Sequence, residues 1–470
     1  MKMKYWLGAA MAAQLCLTAA AQDAKKWNVA NPGAPHKEVS FTTTEGTWMN
    51  LDVSPDGKEI VFDLLGDIYV MPISGGQAKV LRQGLPFEVQ PRFSPDGKKI
   101  LFTSDAGGGD NIWTMNRDGS DAKQITKETF RLLNNGAWSP DGQYIVARKH
   151  FTSTRSLGAG EIWMYHISGG NGLQLTARKN DQQDVNEPIV SHDGRYVYFS
   201  EDMYPGGFFQ YNKDPNNQIF IIRRFDKEKG TIENITGGPG GAVRPQLSND
   251  GKTLAFVKRV RTKSVLYLRN LASGEEWPVY DSLSKDQQEA WTIFGSFTGF
   301  DWMPDDKSIV IWSHGKINRI DITKPNTSVV IPFTAQVKQQ VADAVRFKQA
   351  INEDTFKANV IRHAATSPDG KTLVFSAVGY LWRMTLPNGK PERLTNGTDF
   401  EFEPSYSPDG KTLVYTTWND DASGAMYKVS ATGNAKPVKI TTEKGIYRMP
   451  RFSPDGKWIV FRREGSSDVL

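Results

Sequence analysis

Short segments of strict apolar–polar alternation recur along this chain, each directly after the same kind of tight turn. Counted from the last residue of the turn, the third and fifth positions are apolar in all nine copies. A period of two places one face of a β-strand in a core. These pairs are Ile60/Phe62, Ile100/Phe102, Ile145/Ala147, Val197/Phe199, Leu254/Phe256, Ile309/Ile311, Leu373/Phe375, Leu413/Tyr415 and Ile459/Phe461.

The turn before each alternating segment reads Ser-Pro-Asp-Gly or a variant of it. Proline presets φ for a tight turn, Asp can accept a hydrogen bond from the backbone two residues on, and Gly tolerates the left-handed conformation that ends the turn. A bulky residue usually precedes the turn, which indicates a preceding strand on the same core. Complete copies begin at Ser54, Ser94, Ser139, Ser367, Ser407 and Ser453, and variants begin at Ser191, Ser248 and Met303.

Two more short strands are predicted after most hairpins. The third is apolar, as in residues 68–70, 112–113 and 162–164, and the fourth commonly ends in Thr, as in residues 124–126 and 174–176. Repeats of four antiparallel strands are typical of propeller blades. We therefore predict an all-β fold, a β-propeller built from about nine four-stranded blades. A β-sandwich is the alternative, but it does not account for nine copies of one turn.

The spacing of the turns predicts the domain organisation. Residues 1–21 resemble a signal peptide, 22–40 an extended lead-in, and 41–325 a six-bladed propeller. Residues 326–361 are expected to form a connecting segment with a helical part at 336–346, where Val337, Val341, Ala344 and Val345 have roughly helical spacing. Residues 362–470 would be the first blades of a second, truncated propeller, and the chain the front part of a longer protein. A single ring of eight or nine blades is the alternative.

Charge and cysteine usage narrow the function classes. The formal net charge of +5 is mild, and no basic stripe interleaved with aromatics suggests nucleic-acid binding. The basic run at 258–263 is interpreted as the solvent face of a strand and its turn. The only cysteine, Cys16, lies in the predicted signal peptide, which has basic, apolar and small-residue regions. Cleavage is expected after Ala21, giving a periplasmic or secreted protein without a membrane span.

Motifs for catalysis are absent from the sequence. It contains no His-x-His, His-Glu-x-x-His, Gly-x-Ser-x-Gly or phosphate-loop motif, so no catalytic residue or metal ligand is assigned. Three insertions depart from the blade pattern, at 148–158, 201–216 and 287–295. We predict that His150, Arg155, Tyr211, Lys213 and Trp291 in or beside them lie at a channel mouth or a domain interface. The alternative is that these loops only pack against a neighbouring domain or cover a ring end.

Specific stretches carry a family resemblance. The blades resemble those of TolB and of tricorn-type and prolyl-oligopeptidase-type proteases. Residues 148–161, 211–215, 288–291, 331–335 and 417–421 resemble, more specifically, secreted bacterial amidohydrolases that carry TolB-like propellers ahead of a metal-dependent hydrolase barrel.

The resemblance implies a hydrolase of C–N bonds in amides or peptides. This chain would supply the propeller region that gates or binds substrate, while a divalent metal, zinc, would belong to a downstream hydrolase domain. The expected partners are that domain or an envelope protein, and a peptide-like substrate. Two alternatives remain open: a non-catalytic, TolB-like protein-binding propeller, and the propeller of a tricorn-like or prolyl-oligopeptidase-like peptidase.

Overall fold

The chain folds into strands that form two compact units. The structure is a computed structural model and describes residues 27–129, 132–151, 159–203, 213–290, 292–344, 349–433 and 435–464. Within these ranges the regular structure is β-strand, and no helix long and apolar enough to cross a membrane is found there. Unit 1 ends at Val345 and unit 2 begins at Arg346.

Unit 1 contains six four-stranded antiparallel sheets, which we call blades 1–6. Strand β1 (His36–Thr43) precedes them. Blade 1 contains β2 (Leu51–Val53), β3 (Glu59–Leu64), β4 (Asp67–Pro72) and β6 (Lys79–Arg82), with β5 (Gly76–Gln77) inserted before its last strand. Blade 2 contains β7 (Glu88–Phe93), β8 (Lys99–Ser104), β9 (Asn111–Asn116) and β10 (Lys123–Gln124). Blade 3 contains β11 (Leu132–Trp138), β12 (Tyr144–Phe151), β13 (Ala159–His166) and β14 (Gly169–Gln174).

The remaining blades of unit 1 have the same strand order. Blade 4 contains β15 (Val185–Val190), β16 (Tyr196–Asp202), β17 (Phe220–Asp226) and β18 (Thr231–Asn234). Blade 5 contains β19 (Val243–Leu247), β20 (Thr253–Val260), β21 (Lys263–Asn270) and β22 (Glu276–Tyr280). Blade 6 contains β23 (Asp301–Trp302), β24 (Ser308–Ser313), β25 (Lys316–Asp321) and β26 (Ser328–Ile331). The predicted all-β class with four-stranded propeller blades is confirmed.

The repeated turn is held by hydrogen bonds that its side chains make with the backbone. In blade 1, Ser54 Oγ donates to Asp56 Oδ1 (2.6 Å) and accepts from the backbone N–H of Glu59 (2.9 Å). Asp56 Oδ1 also accepts from Lys58 N (3.2 Å), two residues on, as the sequence predicted. The Ser54 hydroxyl is the largest influence lowering the pKa of Asp56, to about 2. These hydrogen bonds give the Ser-Pro-Asp-Gly sequence a role in stabilising a tight turn, not in binding a metal.

Blade 6 packs directly on blade 1 and closes the ring of unit 1. Leu51 N donates to Gly299 O (3.1 Å), and one core cluster includes Val53 and Ile60 of blade 1 together with Val310 of blade 6. Because blade 1 already has its neighbour on this side, the alternative of one ring with eight or nine blades does not hold.

A separate three-stranded sheet joins the two ends of this ring. Strand β27 (Phe333–Ala342) follows blade 6, pairs antiparallel with β1 from His36↔Ala342 to Thr43↔Ala335, and pairs parallel with β5. The predicted helical part is therefore wrong up to Ala342. The alternating residues Phe333, Ala335 and Val337 are buried, so the period of two decided the structure here. The predicted propeller boundary at 325 is also too early, because blade 6 continues through β26.

Unit 2 contains two further four-stranded sheets and one hairpin. The first sheet contains β28 (Arg362–Thr366), β29 (Thr372–Ala377), β30 (Tyr380–Thr385) and β31 (Glu392–Arg393). The second contains β32 (Phe400–Tyr406), β33 (Thr412–Asn419), β34 (Ser423–Ser430) and β35 (Val438–Lys439). The hairpin pairs β36 (Ile446–Phe452) with β37 (Ile459–Glu464).

Candidate functional site

The ring of unit 1 has two chemically different faces. The Ser-Pro-Asp-Gly turns and their variants join the first and second strand of each blade on one face, which we call the turn face. The first strands begin, and the second strands end, on the opposite face, which we call the loop face. Each predicted insertion lies between strand ends on the loop face: between Phe151 and Ala159, between Asp202 and Phe220, and between Tyr280 and Asp301.

The first strands of blades 2–5 line the central channel and share a β-bulge. The register of each strand shifts there, and one residue adopts positive φ: Gln90 (58°), Asn135 (51°), Glu187 (58°) and Arg244 (55°). Positive φ is uncommon for residues with side chains. A bulge redirects a side chain, and these four side chains are buried in the channel.

Hydrogen bonds between these side chains cross the channel. Gln90 Nε2 donates to Asn135 Oδ1 (2.8 Å), and Asn135 Nδ2 donates to Asn186 Oδ1 (2.8 Å). Arg244 of blade 5 reaches Asn135 of blade 3, with 2.9 Å between Nη1 and Oδ1. Blades 3 and 5 are not neighbours, so this bond spans the channel near the loop face.

Residues 292–299, which we call the plug segment, close the loop-face end of the channel. The Arg244 guanidinium donates to Phe297 O (2.8 Å from Nε, 2.6 Å from Nη2), and Glu187 Oε1 accepts from Ser296 N (2.6 Å). Gly295 has a φ of 103°, and a Cβ there would lie 2.1 Å from Arg244 Nη2, so any larger residue would displace the guanidinium. The plug segment is therefore bonded into the bulge network.

A buried ion pair anchors the chain just before the plug segment. Arg259 donates from Nε and Nη2 to the Asp286 carboxylate (both 2.8 Å) and from Nη1 to Glu289 Oε1 (2.9 Å). Ser264 Oγ donates to Asp286 as well (2.5 Å). Arg259 is only 3% exposed, so its assignment to a solvent face was wrong. The Arg259 side chain faces Asp286 and Glu289, at the insertion before blade 6. The alternating strand pattern does not show where that insertion packs, so the burial of Arg259 could not be deduced from it.

A second polar layer spans the channel toward the turn face. Arg92 of blade 2 approaches Gln246 of blade 5 (Nη1 to Oε1, 3.4 Å), and Gln246 Nε2 donates to Asp301 Oδ1 (2.7 Å). Burial and the nearby Asp301 carboxylate raise the pKa of Asp52 well above its usual value, and burial also raises that of Asp301. Side chains thus fill the channel at two levels.

An open cavity of about 400 Å³ remains on the loop face, between blades 1 and 2 and the plug segment. This volume is within the range of small-ligand sites. Six apolar side chains contribute to its wall, and Phe87 and Phe294 meet edge to face with ring centroids 5.7 Å apart. We call this cavity the loop-face pocket. Its apolar lining residues are Trp48, Leu65, Phe87, Val89, Ile293 and Phe294, and its polar ones include Asn50 and Asp63.

The Asp63 carboxylate belongs to the polar side of this pocket and is almost completely buried. It accepts hydrogen bonds from Asn50 N (2.7 Å), Asn50 Nδ2 (2.7 Å) and Gln90 N (2.8 Å). Burial outweighs these bonds and raises the pKa of Asp63 to about 6. The same residue thus borders the pocket and joins the first strands of blades 1 and 2.

A larger cavity, of about 550 Å³, lies in unit 2 among the residues 395–401 and the strands β33 and β34. It is bordered by Glu401, which accepts from Leu381 N (2.9 Å) and from the Thr395 hydroxyl. Burial raises the pKa of Glu401. This carboxylate is already bonded within unit 2, so we give it a structural role and place the candidate site on the loop face of unit 1.

Two of the five predicted site residues lie in one ionic cluster between blades 3 and 4. His150 is buried, and its Nδ1 is 2.8 Å from Nη2 of Arg148, which also pairs with Asp184 (2.8 Å). Lys213 pairs with Asp202 (2.5 Å), whose backbone N–H donates to Asp184 O (2.8 Å). The cluster is at the loop-face ends of β12 and β16, and neither residue lines the loop-face pocket.

The other three predicted residues, Arg155, Tyr211 and Trp291, lie outside the described residues. Among the residues that are described, no group of three or more His, Cys, Asp or Glu side chains could hold a metal ion. Sequence reasoning did not identify Trp48, Asp63, Leu65 or Phe87.

Comparisons with known proteins find similarity to TolB-type propellers. Residues 36–206 match the TolB beta propeller domain model, PD40. An uncharacterized protein of Agrobacterium fabrum is 32% identical over 153 residues, which is 30% of this chain and 50% of that protein. The Tol-Pal system protein TolB of Wolinella succinogenes is 29% identical over 165 residues, 34% of this chain and 38% of that one.

More distant similarities extend to a protease and to a solved structure. A putative tricorn-like protease C-terminal subunit of Sulfurisphaera tokodaii is 26% identical over 32% of this chain and 16% of its own length. The crystal structure of TolB from Acinetobacter baumannii aligns with a TM-score of 0.46 and 15% identity, over 62% of this chain and 66% of that one. The chain spans half or less of these curated relatives. From the family model and the blades described above, we conclude that the chain contains a TolB-like β-propeller domain.

Proposed function

We propose that this chain is the propeller region of a cell-envelope hydrolase of C–N bonds, and that its loop face holds a peptide-like ligand for a hydrolase domain. The resemblance of residues 148–161, 288–291 and 417–421 to propeller-bearing amidohydrolases supports the activity. The signal-like residues 1–21 support export to the periplasm or outside the cell. The zinc of this proposal belongs to the hydrolase domain, and no step of it uses residues of this chain.

One observation carries the location of binding: the channel is filled while the loop-face pocket is open. Hydrogen bonds from Arg244 to Asn135 and from Gln90 to the plug segment occupy the channel that a threaded peptide would need. The pocket beside the plug segment is open and has largely apolar walls. We therefore favour binding on the face over passage through the ring.

Hydrolysis is tested on the product of the complete gene. We expect it to release amines from peptides and N-acyl amides, to lose this activity with EDTA, and to regain it with added zinc. Absence of amide hydrolysis under all these conditions would overturn the hydrolase part of the proposal.

Hydrogen–deuterium exchange with a peptide digest tests the location of binding. Ligand should protect residues 47–50, 64–66 and 287–296 on the loop face and leave the turns at 54–57 and 94–97 unchanged. Protection confined to the turn face, or none at any peptide concentration, would refute binding on the loop face.

A non-catalytic binding propeller is the second candidate function. The match of residues 36–206 to the TolB propeller domain and the similarity to TolB of Wolinella succinogenes favour it. Loop-face protection by peptides, without amide hydrolysis by the complete gene product, would select this candidate.

A further inference from the structure

Leu65 occupies a turn position that suits neither its backbone preference nor its apolar side chain. Leu65 (φ 56°) and Gly66 (φ 83°) form the two-residue turn between β3 and β4, where Leu64 pairs with Asp67. Turns with two successive positive φ angles favour Asn, Asp or Gly at the first position. The Leu65 side chain is nevertheless 55% exposed, so burial in the blade does not account for it.

Two other apolar residues of the loop-face pocket share features with Leu65: Trp48 its positive φ, and Phe87 its exposure. Trp48 also has positive φ (55°), and its ring is held by Phe297 and Trp312, each with its centroid 6.0 Å away. Phe87 is 45% exposed beside Gly66. Strained backbone that holds apolar side chains around a cavity is typical of ligand-binding sites.

The described residues that line the pocket include no Lys, Arg or His that could pair with an acidic ligand. Both Asp63 oxygens accept backbone or amide N–H groups of this chain, and Asn50 Oδ1 accepts from Gly299 N (2.8 Å). A ligand carboxylate would therefore lie beside another carboxyl group and lose water without gaining a cation as partner. An uncharged apolar group instead covers exposed apolar surface.

We infer that the loop-face pocket binds the apolar or aromatic side chain of a peptide-like ligand, and that Leu65 determines this specificity. The inference rests on the proposed function for the peptide-like nature of the ligand. Leu65, Trp48 and Phe87 form the apolar contact, and Asp63 with Asn50 disfavours acidic side chains.

The chain provides a matched control for testing Leu65. Val378 and Gly379 form the equivalent turn between β29 and β30 in unit 2, with φ of 52° and 78°, and Val378 is 52% exposed. Asn suits both turns, so Leu65→Asn and Val378→Asn should each preserve or raise the melting temperature. Only Leu65→Asn removes an apolar wall of the pocket.

The experiment measures binding of N-acetyl-Gly-X-Gly amides by calorimetry to the full chain, with X as Phe, Leu or Asp. We expect the Phe and Leu peptides to bind at least tenfold more tightly than the Asp peptide. Leu65→Asn should weaken the Phe peptide at least tenfold, and Val378→Asn should leave it within twofold of the unmodified chain. Equal affinity for the Phe and Asp peptides, or unchanged binding by Leu65→Asn, would overturn the inference.

These outcomes are separable from failure of the proposed function. Loop-face protection by a peptide digest without discrimination among the three peptides would reject only the inference. Leu65-dependent binding of the Phe peptide, combined with a complete gene product that hydrolyses no amide, would reject only the hydrolase proposal.

Discussion

Replacing Asp63 with Asn should change how the stability of the chain depends on pH. Asp63 is 3% exposed and accepts three hydrogen bonds, yet burial raises its pKa from 3.8 to about 6. The Arg244 charge and the bonds from Asn50 and Gln90 act in the opposite direction and do not cancel the burial effect. The folded protein therefore holds a proton on Asp63 that the unfolded chain has already lost between about pH 4 and 6.

The sign and size of the effect follow from this difference in bound protons. When the folded state binds more protons than the unfolded state, the free energy of unfolding falls as pH rises. A shift of about 2 pKa units, at about 1.4 kcal/mol per unit, gives about 3 kcal/mol. The Asn side chain resembles the protonated acid, so the variant lacks this dependence. The free energy of unfolding of wild type minus that of Asp63→Asn should therefore fall by about 2 kcal/mol from pH 4 to pH 7.5, because part of the change lies below pH 4.

The assay is urea denaturation of both proteins at intervals from pH 4 to pH 8, followed by tryptophan fluorescence. Titration of other groups, such as Asp67, contributes equally to both proteins and cancels in the difference. Asp118→Asn is the control. The Ser120 hydroxyl lowers the pKa of Asp118 below 3.8, so wild type gains on that variant only as pH rises toward about 4, and the difference between these two proteins should be nearly flat across the assayed range. A wild-type minus Asp63→Asn difference that is flat, or that rises with pH, would refute the reasoning.

Two further predictions concern the anchor of the plug segment and the ionic cluster. Asp286→Asn removes the main partner of the buried Arg259 and should lower the free energy of unfolding by about 3 kcal/mol. Urea denaturation measures this change. A loss below about 1 kcal/mol would contradict a buried ion pair. Gly160→Ala places a Cβ 2.2 Å from Asp184 Oδ1 and should cost about 1–3 kcal/mol by the same assay. Gly109→Ala meets nothing within 4 Å and is the control, expected within about 0.5 kcal/mol of wild type; equal losses in both would count against the contact.

The blades could be predicted because their signals are local. The hydrogen bonds of Ser54, Asp56 and Glu59 all fall within six residues, so the turn and the strands beside it can be deduced from one short segment. Strand β27 could not be predicted in this way, because Val337 and Val341 fit a helical face and an extended strand equally well. Pairing with β1 makes this segment a strand, and β1 lies almost the whole of unit 1 earlier in the sequence.

The candidate site could be predicted only in part, for a related reason. Of the three insertions, 287–295 contributes Ile293 and Phe294 to the pocket wall, but much of the rest of that wall comes from the ordinary turn at Leu65 and from Trp48 and Phe87. Phe87 and its neighbours meet Ile293 and Phe294 only when the ring closes. A signal for the channel residues was present in the sequence: a polar residue followed by Pro or Gly stands four positions before the Ser of the turn, as in Gln90 and Glu187.

The polar residue four positions before the Ser of the turn explains why the channel has a structural role, whereas the loop face is the face proposed for binding. In blades 2, 3 and 5 the bulge turns a backbone N–H toward the channel, and a side chain of the preceding blade accepts it. In blade 4, Glu187 N donates instead to Asn186 Oδ1 of its own blade (3.0 Å). Asn135 N donates to Gln90 Oε1 (2.8 Å), and Arg244 N donates to Glu187 Oε2.

The same device recurs in unit 2, where Met449 N donates to Glu403 Oε2 (2.5 Å). An unpaired buried N–H is costly, so these polar side chains join neighbouring blades. A ligand that took these acceptors would separate the blades. The side chain of Leu65 accepts none of these N–H groups, so it can change without loosening the ring.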